Sequence, residues 1–104
     1  MEILIKQFNV SGLEVKASGR LDLDNAVKYG TTIKDAILDS YETITELVLD
    51  FSEITFLSSF GLKVILELYK EIQGNQGEVK IKNAPEQIVK SFKLVGFDKF
   101  LVFV

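Results

Sequence analysis

The stretch "LVLDFSEITFLSSFGLKVILELYK", residues 47 to 70, decides the fold of this chain. Its first residues are apolar at both odd-numbered and even-numbered positions, so side chains on both faces of a strand would be apolar. This pattern predicts a strand covered on both faces, as in parallel sheets. From Phe60 onward a second pattern begins, with helical spacing, and it predicts an amphipathic helix that ends near Gly74 and Gly77. The apolar side of this helix is expected to comprise Leu62, Ile65, Leu66, Tyr69 and Ile72. On its polar side, Lys63 and Glu67 are spaced for an i,i+4 ion pair.

Two adjacent serines, Ser58 and Ser59, stand between this strand and this helix. A serine at a helix start can cap N–H groups that have no partner within the helix. It can also carry a phosphate, because the partial positive charge at that end tolerates a negative group. Judged by residue type alone, each serine is better interpreted as a helix cap than as a modified or catalytic residue.

Upstream of this stretch, the segments 3–10 and 13–19 are strand-like and are separated by Ser11 and Gly12, which predicts a tight hairpin. Gly19 is expected to break the second strand. A helix from about 25 to 39 follows, with Asp22 or Asp24 as its cap. Its apolar positions are Ala26, Tyr29, Ile33, Ala36 and Ile37, and its interior Gly30 is a poor helix former.

Downstream, "EVKIKN" at 78–83 alternates as a strand does, and a third helix is expected to run to about Val95. Asn83 is the expected cap of that helix and Pro85 one of its first residues. After Gly96 a final apolar segment could form one more strand. The order β-β-α-β-α-β-α-(β) predicts a single α/β domain over 1–104. In it, an N-terminal hairpin leads into a mixed, mostly parallel sheet covered by helices.

Composition excludes several function classes. The chain has 104 residues with no cysteine and no histidine, so it lacks thiolate chemistry, the usual general base and the commonest transition-metal ligand. The net charge of −3 does not favour nucleic-acid binding. We therefore expect no enzymatic activity, no cofactor and no metal. We interpret Asp22 and Asp24 as residues that cap or border the first helix, and Asp50 as the end of a strand.

No signal peptide and no long apolar span are recognisable in the sequence, so we expect a cytoplasmic protein without membrane contact. A monomer is the expected state.

The central stretch resembles the corresponding segment of STAS domains, particularly the anti-sigma factor antagonists of bacterial partner-switching systems. "SGRLDLDNA" at 18–26 resembles the segment after the family's second strand. "VKIKNAPEQIVKSFKLVGFDKFLVF" at 79–103 resembles its C-terminal third. The similarity runs through nearly the whole chain in one register, and it implies the STAS fold.

Those antagonists usually read Asp-Ser-Ser/Ala-Gly-Leu at the start of their second long helix. Aligning Gly61 and Leu62 with that Gly-Leu places Ser59 at the phosphorylated serine. Ser58 then stands in place of the aspartate, and Phe60 in place of the small residue. The resemblance implies phosphorylation of Ser59, with Ser58 as a lesser candidate. It also implies a partner-binding surface comprising Asp22, Ser58, Ser59, Phe60, Gly61 and Lys63. Gly61 would allow another backbone to approach closely.

The resemblance implies a protein-interaction switch without catalytic activity of its own. Its partners would be an ATP-dependent serine kinase that serves as an anti-sigma factor and a phosphatase that removes the phosphate. Two alternatives remain. One is a STAS-like module with a non-sigma partner and no phosphorylation, which the replaced neighbours of Ser59 favour. The other is a small-ligand-binding domain, which would require a deep pocket with converging polar groups.

Overall fold

The computed structural model describes residues 1–104, and its order of elements confirms the predicted one, including the final strand. Five strands, three α-helices and one short 3₁₀ turn follow each other along the chain. They are β1 (Ile3–Asn9), β2 (Gly12–Leu21), α1 (Leu23–Asp39), β3 (Glu46–Leu57), α2 (Ser59–Gly74), β4 (Glu78–Lys82), α3 (Glu86–Leu94), the turn Phe97–Lys99 and β5 (Val102–Phe103).

The strands form one sheet in the order β1-β2-β3-β4-β5. The hairpin pair β1 and β2 is antiparallel, and every other neighbouring pair is parallel. This is the hairpin-led, mostly parallel sheet that the sequence predicts. Leu49 of β3 lies between Val15 of β2 and Ile81 of β4 and is fully buried, so β3 is the central strand.

The core lies on one face of the sheet. The buried apolar residues of all three helices join a single cluster with Leu47, Leu49 and Phe51 of β3. The ring of Phe51 lies between helices, with centroids 6.5 Å from Tyr29 of α1 and 5.9 Å from Phe92 of α3. The helices therefore cover the face to which the odd-numbered residues at the start of β3 point.

The sequence predicts that β3 is covered on both faces, and both faces are buried there, but helices cover only one of them. Val48 is buried yet does not belong to the core cluster. It stands in register between Glu14 and Lys80 on the face without helices, and we attribute its burial to these two side chains. Long charged side chains cover apolar neighbours with their aliphatic stems while their charged ends remain in water. Leu49 and Val48 are thus both apolar and buried for different reasons: helices cover Leu49, and charged side chains of the neighbouring strands cover Val48.

The open face of the sheet carries a network of charges. Lys80 pairs with Glu46 at 2.8 Å, and Lys82 reaches Glu14 at 3.5 Å. Asp50 does not end the strand, contrary to the sequence-based interpretation, because β3 continues to Leu57. It stands in register between Lys16 and Lys82 and is buried. Burial raises the pKa of its carboxyl, but hydrogen bonds from Ser52 and the two lysine charges outweigh that effect and hold the pKa below its ordinary range.

Helices α1 and α2 contact each other closely at Gly30. A Cβ atom there would lie 2.8 Å from Cγ1 of Val64, so the poor helix former is required by packing. Beside this contact Lys34 of α1 pairs with Glu67 of α2 at 3.0 Å. The hydrogen bond and the charge of Lys34 hold the pKa of the Glu67 carboxyl below its ordinary range. The predicted Lys63–Glu67 pair is therefore wrong, because Glu67 bonds across the helix interface.

Three local predictions need correction. Gly19 does not end β2: it adopts a φ of 109° at an irregularity in the pairing with β3, and the strand continues to Leu21. Asn83 does not cap α3, because its N–H donates to the carbonyl of Val104, and Pro85 occupies the cap position. The buried side of α2 is also rotated from the predicted one. It consists of Gly61, Val64, Ile65, Leu68 and Ile72.

None of the helices combines the length and the apolar character that crossing a bilayer requires. The structure contains no cluster of three or more acidic side chains arranged to hold a metal ion.

Candidate functional site

The two long helices begin side by side at the carboxyl edge of the sheet. Strand β2 ends at Leu21 and β3 ends at Leu57, and these two residues are paired in register. The next residues, Asp22 and Ser58, are the N-caps of α1 and α2. Parallel pairing thus brings together two segments that lie 36 residues apart in the chain and places two helix N-termini at one edge.

Ser58 forms hydrogen bonds that connect the end of β2 to the start of α2. Its hydroxyl donates to the carbonyl oxygen of Leu21 at 2.7 Å and accepts from the N–H of Gly61 at 3.0 Å. Its own N–H donates to the same Leu21 oxygen at 3.0 Å. The side chain therefore caps α2 and ties it to β2. Esterifying this oxygen would remove the donor and break the tie.

Ser59 is the first residue of α2, and its side chain is exposed. Its hydroxyl makes no hydrogen bond within the chain, in contrast to that of Ser58. Ser59 therefore lies in the first helical turn with a side chain that solvent can reach. A group added to this oxygen would project into solvent beside the unpaired N–H groups of the helix start.

Gly61 is buried, and the backbone that approaches it belongs to the chain itself. A Cβ at this position would lie 2.8 Å from Cδ1 of Leu57 and 3.0 Å from the carbonyl oxygen of Leu21. Glycine is required here because α2 begins directly against the end of β2. Among the predicted surface residues, Gly61 therefore positions the helix start and offers a partner no side chain.

Phe60 and Lys63 lie on the outer side of the first turns of α2. Phe60 is half-buried, Lys63 is exposed, and the Nζ atom of Lys63 lies 5.9 Å from the centre of the Phe60 ring. The ring also borders a shallow depression between the two long helices. The other residues of this depression are Val27, Gly30, Thr31, Lys34, Val64 and Glu67. An apolar ring and a cation thus adjoin Ser59.

Asp22 contributes to the junction as the cap of α1. Its Oδ1 atom accepts from the N–H of Asn25 at 3.1 Å, and the side-chain amide of Asn25 donates to the carbonyl of Arg20 at 2.9 Å. The predicted cap of α1 is therefore Asp22 and not Asp24. The fold brings all six residues of the predicted surface to one edge, with Ser59, Phe60 and Lys63 accessible and Gly61 enclosed.

Sequence reasoning missed an exposed pair beside this edge. Arg20, the only arginine of the chain, stands in register with Phe56, and its Cζ atom lies 4.1 Å from the centre of the Phe56 ring. Nearby, Leu23 at the start of α1 is 58% exposed. Arginine and aromatic residues are enriched among the side chains that dominate protein interfaces. The signal was present in the sequence, since both residues directly precede the apolar residues that end their strands.

The largest surface depression lies at the opposite end of the sheet from Ser59. It is formed at the start of β3 and β4 and contains no apolar residue. Its residues are Thr45, Glu46, Gln76, Gly77, Glu78 and Lys80. Small-ligand sites are mostly apolar and concave, so the geometry offers no support for the small-ligand alternative.

Comparison with known proteins identifies the fold and the family. The family model described as STAS domain matches residues 5–104. An anti-sigma-B factor antagonist of Bacillus subtilis (strain 168) is 22% identical over 92 residues, which are 88% of this chain and 80% of that protein. The solved structure of the anti-sigma factor antagonist SpoIIAA in its unphosphorylated form has a TM-score of 0.84 at 17% identity, covering 99% of this chain and 88% of that one.

The phosphorylated form of the Bacillus cell fate determinant SpoIIAA is similar as well. It has a TM-score of 0.76 at 17% identity and covers 99% of this chain and 91% of that one. At these identities the structural similarity shows a shared fold, and the match of the family model over nearly all residues shows the family.

Proposed function

The chain belongs to the STAS domain family, and on that premise we propose that it is an anti-sigma factor antagonist that acts as a switch through Ser59. The unmodified domain binds a serine kinase that also serves as an anti-sigma factor. Phosphorylation of Ser59 ends this binding, and a phosphatase restores it. The domain performs no catalysis of its own, and we place the cycle in the cytoplasm, where sigma factors act.

The contrast between two neighbouring hydroxyls carries this proposal. The Ser58 hydroxyl donates to Leu21 and accepts from Gly61, whereas the Ser59 hydroxyl is exposed and unbonded. A kinase needs an acceptor oxygen that it can approach and that can be modified without unfolding the domain. Ser59 meets both conditions, and Ser58 meets neither, which favours Ser59 as the acceptor.

A phosphate on Ser59 would act through the electrostatics of the bound state. It adds a charge of about −1.5 to −2 at neutral pH. In the free domain this charge is hydrated and lies near a helix N-terminus, which favours it. In a complex it would be pressed against a partner surface formed for a neutral hydroxyl, and desolvating an unpaired charge costs several kcal/mol. The modification therefore weakens binding while the fold persists.

The relatives support this proposal from a second direction. Curated proteins with similar sequences are named anti-sigma-B factor antagonists. SpoIIAA, which shares the fold, is known in both an unphosphorylated and a phosphorylated form. A domain of this shape thus accommodates a phosphate without changing its architecture.

One observation favours a second candidate, a STAS-like interaction module with a non-sigma partner and no phosphorylation. Phe60 directly follows Ser59, and its ring is half-buried. The anti-sigma factor antagonists that the chain resembles carry a small residue at this position. A bulky ring beside the hydroxyl narrows the approach for a kinase active site. Such a module would use the same surface for constant binding.

Phosphate transfer distinguishes the two candidates. Tagged domain is used to recover its partners from source cells, and the recovered kinase is incubated with ATP and the purified domain. Mass spectrometry should then find one phosphate on the wild type and none on Ser59→Ala. Ser91→Ala is the matched control, because Ser91 lies in a helix and its hydroxyl bonds only to the carbonyl of Gln87. Recovery of a stable partner that transfers no phosphate to Ser59 would overturn the switch in favour of the second candidate.

A further inference from the structure

We infer that Lys63 is the side chain that pairs with a phosphate on Ser59, and that forming this pair draws its ammonium away from the Phe60 ring. The inference rests on Ser59 as the proposed acceptor and adds how the domain itself responds to the modification. The phosphate would thus alter the binding surface twice, by adding charge and by uncovering an aromatic ring.

The helical spacing places Lys63 within reach of a phosphate on Ser59. Ser59 is the first residue of α2 and Lys63 follows four residues later, so both lie on one side of the helix. Four residues correspond to about 6 Å along the axis, a distance that a lysine side chain spans. An acidic group four residues before a lysine is the favourable orientation of such a pair, because the negative group is then the one nearer the positive end of the helix.

Lys63 is free to make this pair. It forms no salt bridge, and its Nζ atom lies 5.9 Å from the centre of the Phe60 ring. That separation is at the outer limit of a cation–π contact, which is about 6 Å. A phosphate oxygen is a stronger partner for an ammonium than a ring face at that limit, because the bond is charge-assisted. The contact with Phe60 is therefore the weaker of the two.

The other cations near this edge are already engaged. Arg20 lies 4.1 Å above the ring of Phe56, and Lys34 bonds to Glu67 at 3.0 Å. The acidic groups at the start of α1, Asp22 and Asp24, carry the same sign as the phosphate and cannot pair with it. Lys63 is thus the unpaired lysine of α2 that lies one turn from the acceptor, whereas Lys70 lies two turns further along the helix.

The residue type at position 58 is consistent with this arrangement. The antagonists that the chain resembles carry an aspartate there, next to the phosphorylated serine. Ser58 is neutral and caps the helix with its hydroxyl. No carboxylate directly precedes the acceptor. The Glu67 carboxylate, which interacts electrostatically with Lys63, is hydrogen-bonded to Lys34.

The test measures the phosphate itself and needs neither kinase nor partner. Phosphoserine is incorporated at position 59 during translation, and its second ionisation, near pH ~6, is followed by ³¹P NMR in three proteins. These are the otherwise wild-type domain, Lys63→Gln and the matched control Lys70→Gln, which removes an exposed lysine two turns further along α2. A lysine partner stabilises the dianion. We therefore expect the phosphate pKa in Lys63→Gln to be higher by about 0.3, the size of an i,i+4 pair, and unchanged in Lys70→Gln.

A second readout follows the ring. Phosphorylation should shift the ¹³C and ¹H resonances of the Phe60 ring in the wild type and in Lys70→Gln, and shift them much less in Lys63→Gln. Equal phosphate pKa values in all three proteins, or equal ring shifts, would overturn the inference. Asp22 and Asp24 are unchanged throughout, so their effect on the phosphate cancels. Because the phosphoserine is supplied directly, these results are independent of whether a kinase modifies Ser59, which the phosphate-transfer experiment decides separately.

Discussion

The Ser58 hydroxyl donates to the carbonyl oxygen of Leu21 at 2.7 Å, across 37 positions of sequence. Leu21 is the last residue of β2, and Ser58 caps α2, so this bond ties the start of α2 to the neighbouring strand. The same Leu21 oxygen also accepts the N–H of Ser58. The Ser58 hydroxyl is therefore occupied by hydrogen bonds within the domain, and of the two serines only Ser59 has an accessible hydroxyl.

Replacing Ser58 and replacing Ser59 should have different effects on stability. Ser58→Ala removes the cap and the bond to Leu21, and we expect it to lower the free energy of unfolding by about 1–2 kcal/mol. Ser59→Ala removes a hydroxyl that makes no bond, so a change within about 0.5 kcal/mol is expected. Urea denaturation of both variants measures the difference. Equal losses would show that the two serines share the capping role.

Gly61→Ala should destabilise the domain, because its Cβ would lie 2.8 Å from Leu57 Cδ1 and 3.0 Å from the Leu21 carbonyl. We expect a loss of about 1–3 kcal/mol, typical of overpacking. Gly74→Ala is the matched control on the same helix, since no atom lies within 4 Å of its added Cβ. That control should be neutral or gain up to about 1 kcal/mol. Thermal unfolding that ranks the two variants in the opposite order would contradict the close approach of α2 to β2.

Leu49→Ala tests the central strand. Leu49 is fully buried between β2 and β4, and the substitution should cost about 2–5 kcal/mol through lost burial and a residual cavity. Leu38→Ala on the exposed side of α1 is the control, because Leu38 is 74% exposed. Denaturant unfolding that gave Leu49→Ala a loss below about 0.5 kcal/mol would disprove the assignment of β3 as the central strand.

The stability contributed by Asp50 should depend on pH in one direction. Its pKa in the folded domain is lowered, chiefly because hydrogen bonds from Ser52 and the charges of Lys16 and Lys82 outweigh the effect of burial. The unfolded chain therefore binds the proton more readily, and the stabilisation is present above the unfolded pKa of about 4 and is lost as the pH falls through the folded value.

Comparison with Asp50→Asn isolates this contribution. The wild type should exceed the variant in free energy of unfolding at neutral pH, and the difference should shrink steadily as the pH is lowered below about 4. Denaturation at a series of pH values measures it. A difference that grew on acidification would mean that burial dominates and that the folded pKa is raised.

Charge at position 59 should weaken partner binding without unfolding the domain. Against the proposed kinase partner in purified form, phospho-Ser59 should lose at least tenfold in affinity, which corresponds to about 1.4 kcal/mol. The mimic Ser59→Asp should weaken binding in the same direction. Ser59→Ala should retain affinity. Titration calorimetry, with melting temperatures as the control for folding, provides the measurement. If all these forms bound equally well, Ser59 would be a helix start and nothing more.

Much of the fold could be predicted because its signals are local. The alternation in 13–17 indicates a strand, and the three- and four-residue spacing in α1 indicates a helix, since each pattern reflects the geometry of its own backbone. The open face of the sheet could not be predicted in the same way. Val48 is apolar, as a residue under a helix would be, and only the neighbours Glu14 and Lys80 show that side-chain stems cover it.

The sequence by itself determined the order of the elements and placed a pair of serines at the start of a helix, because periodicity and capping act over a few residues. Tertiary structure alone decided that the Ser58 hydroxyl is hydrogen-bonded and that Ser59 is exposed. Hydrogen bonding of Ser58 depends on where the Leu21 carbonyl lies, and that position follows from the parallel pairing of β2 with β3. Tertiary structure also explains why position 61 requires glycine, and why Glu67 pairs with Lys34 of α1 and not with Lys63 of its own helix. Each is a contact between segments far apart in sequence, which no local pattern encodes.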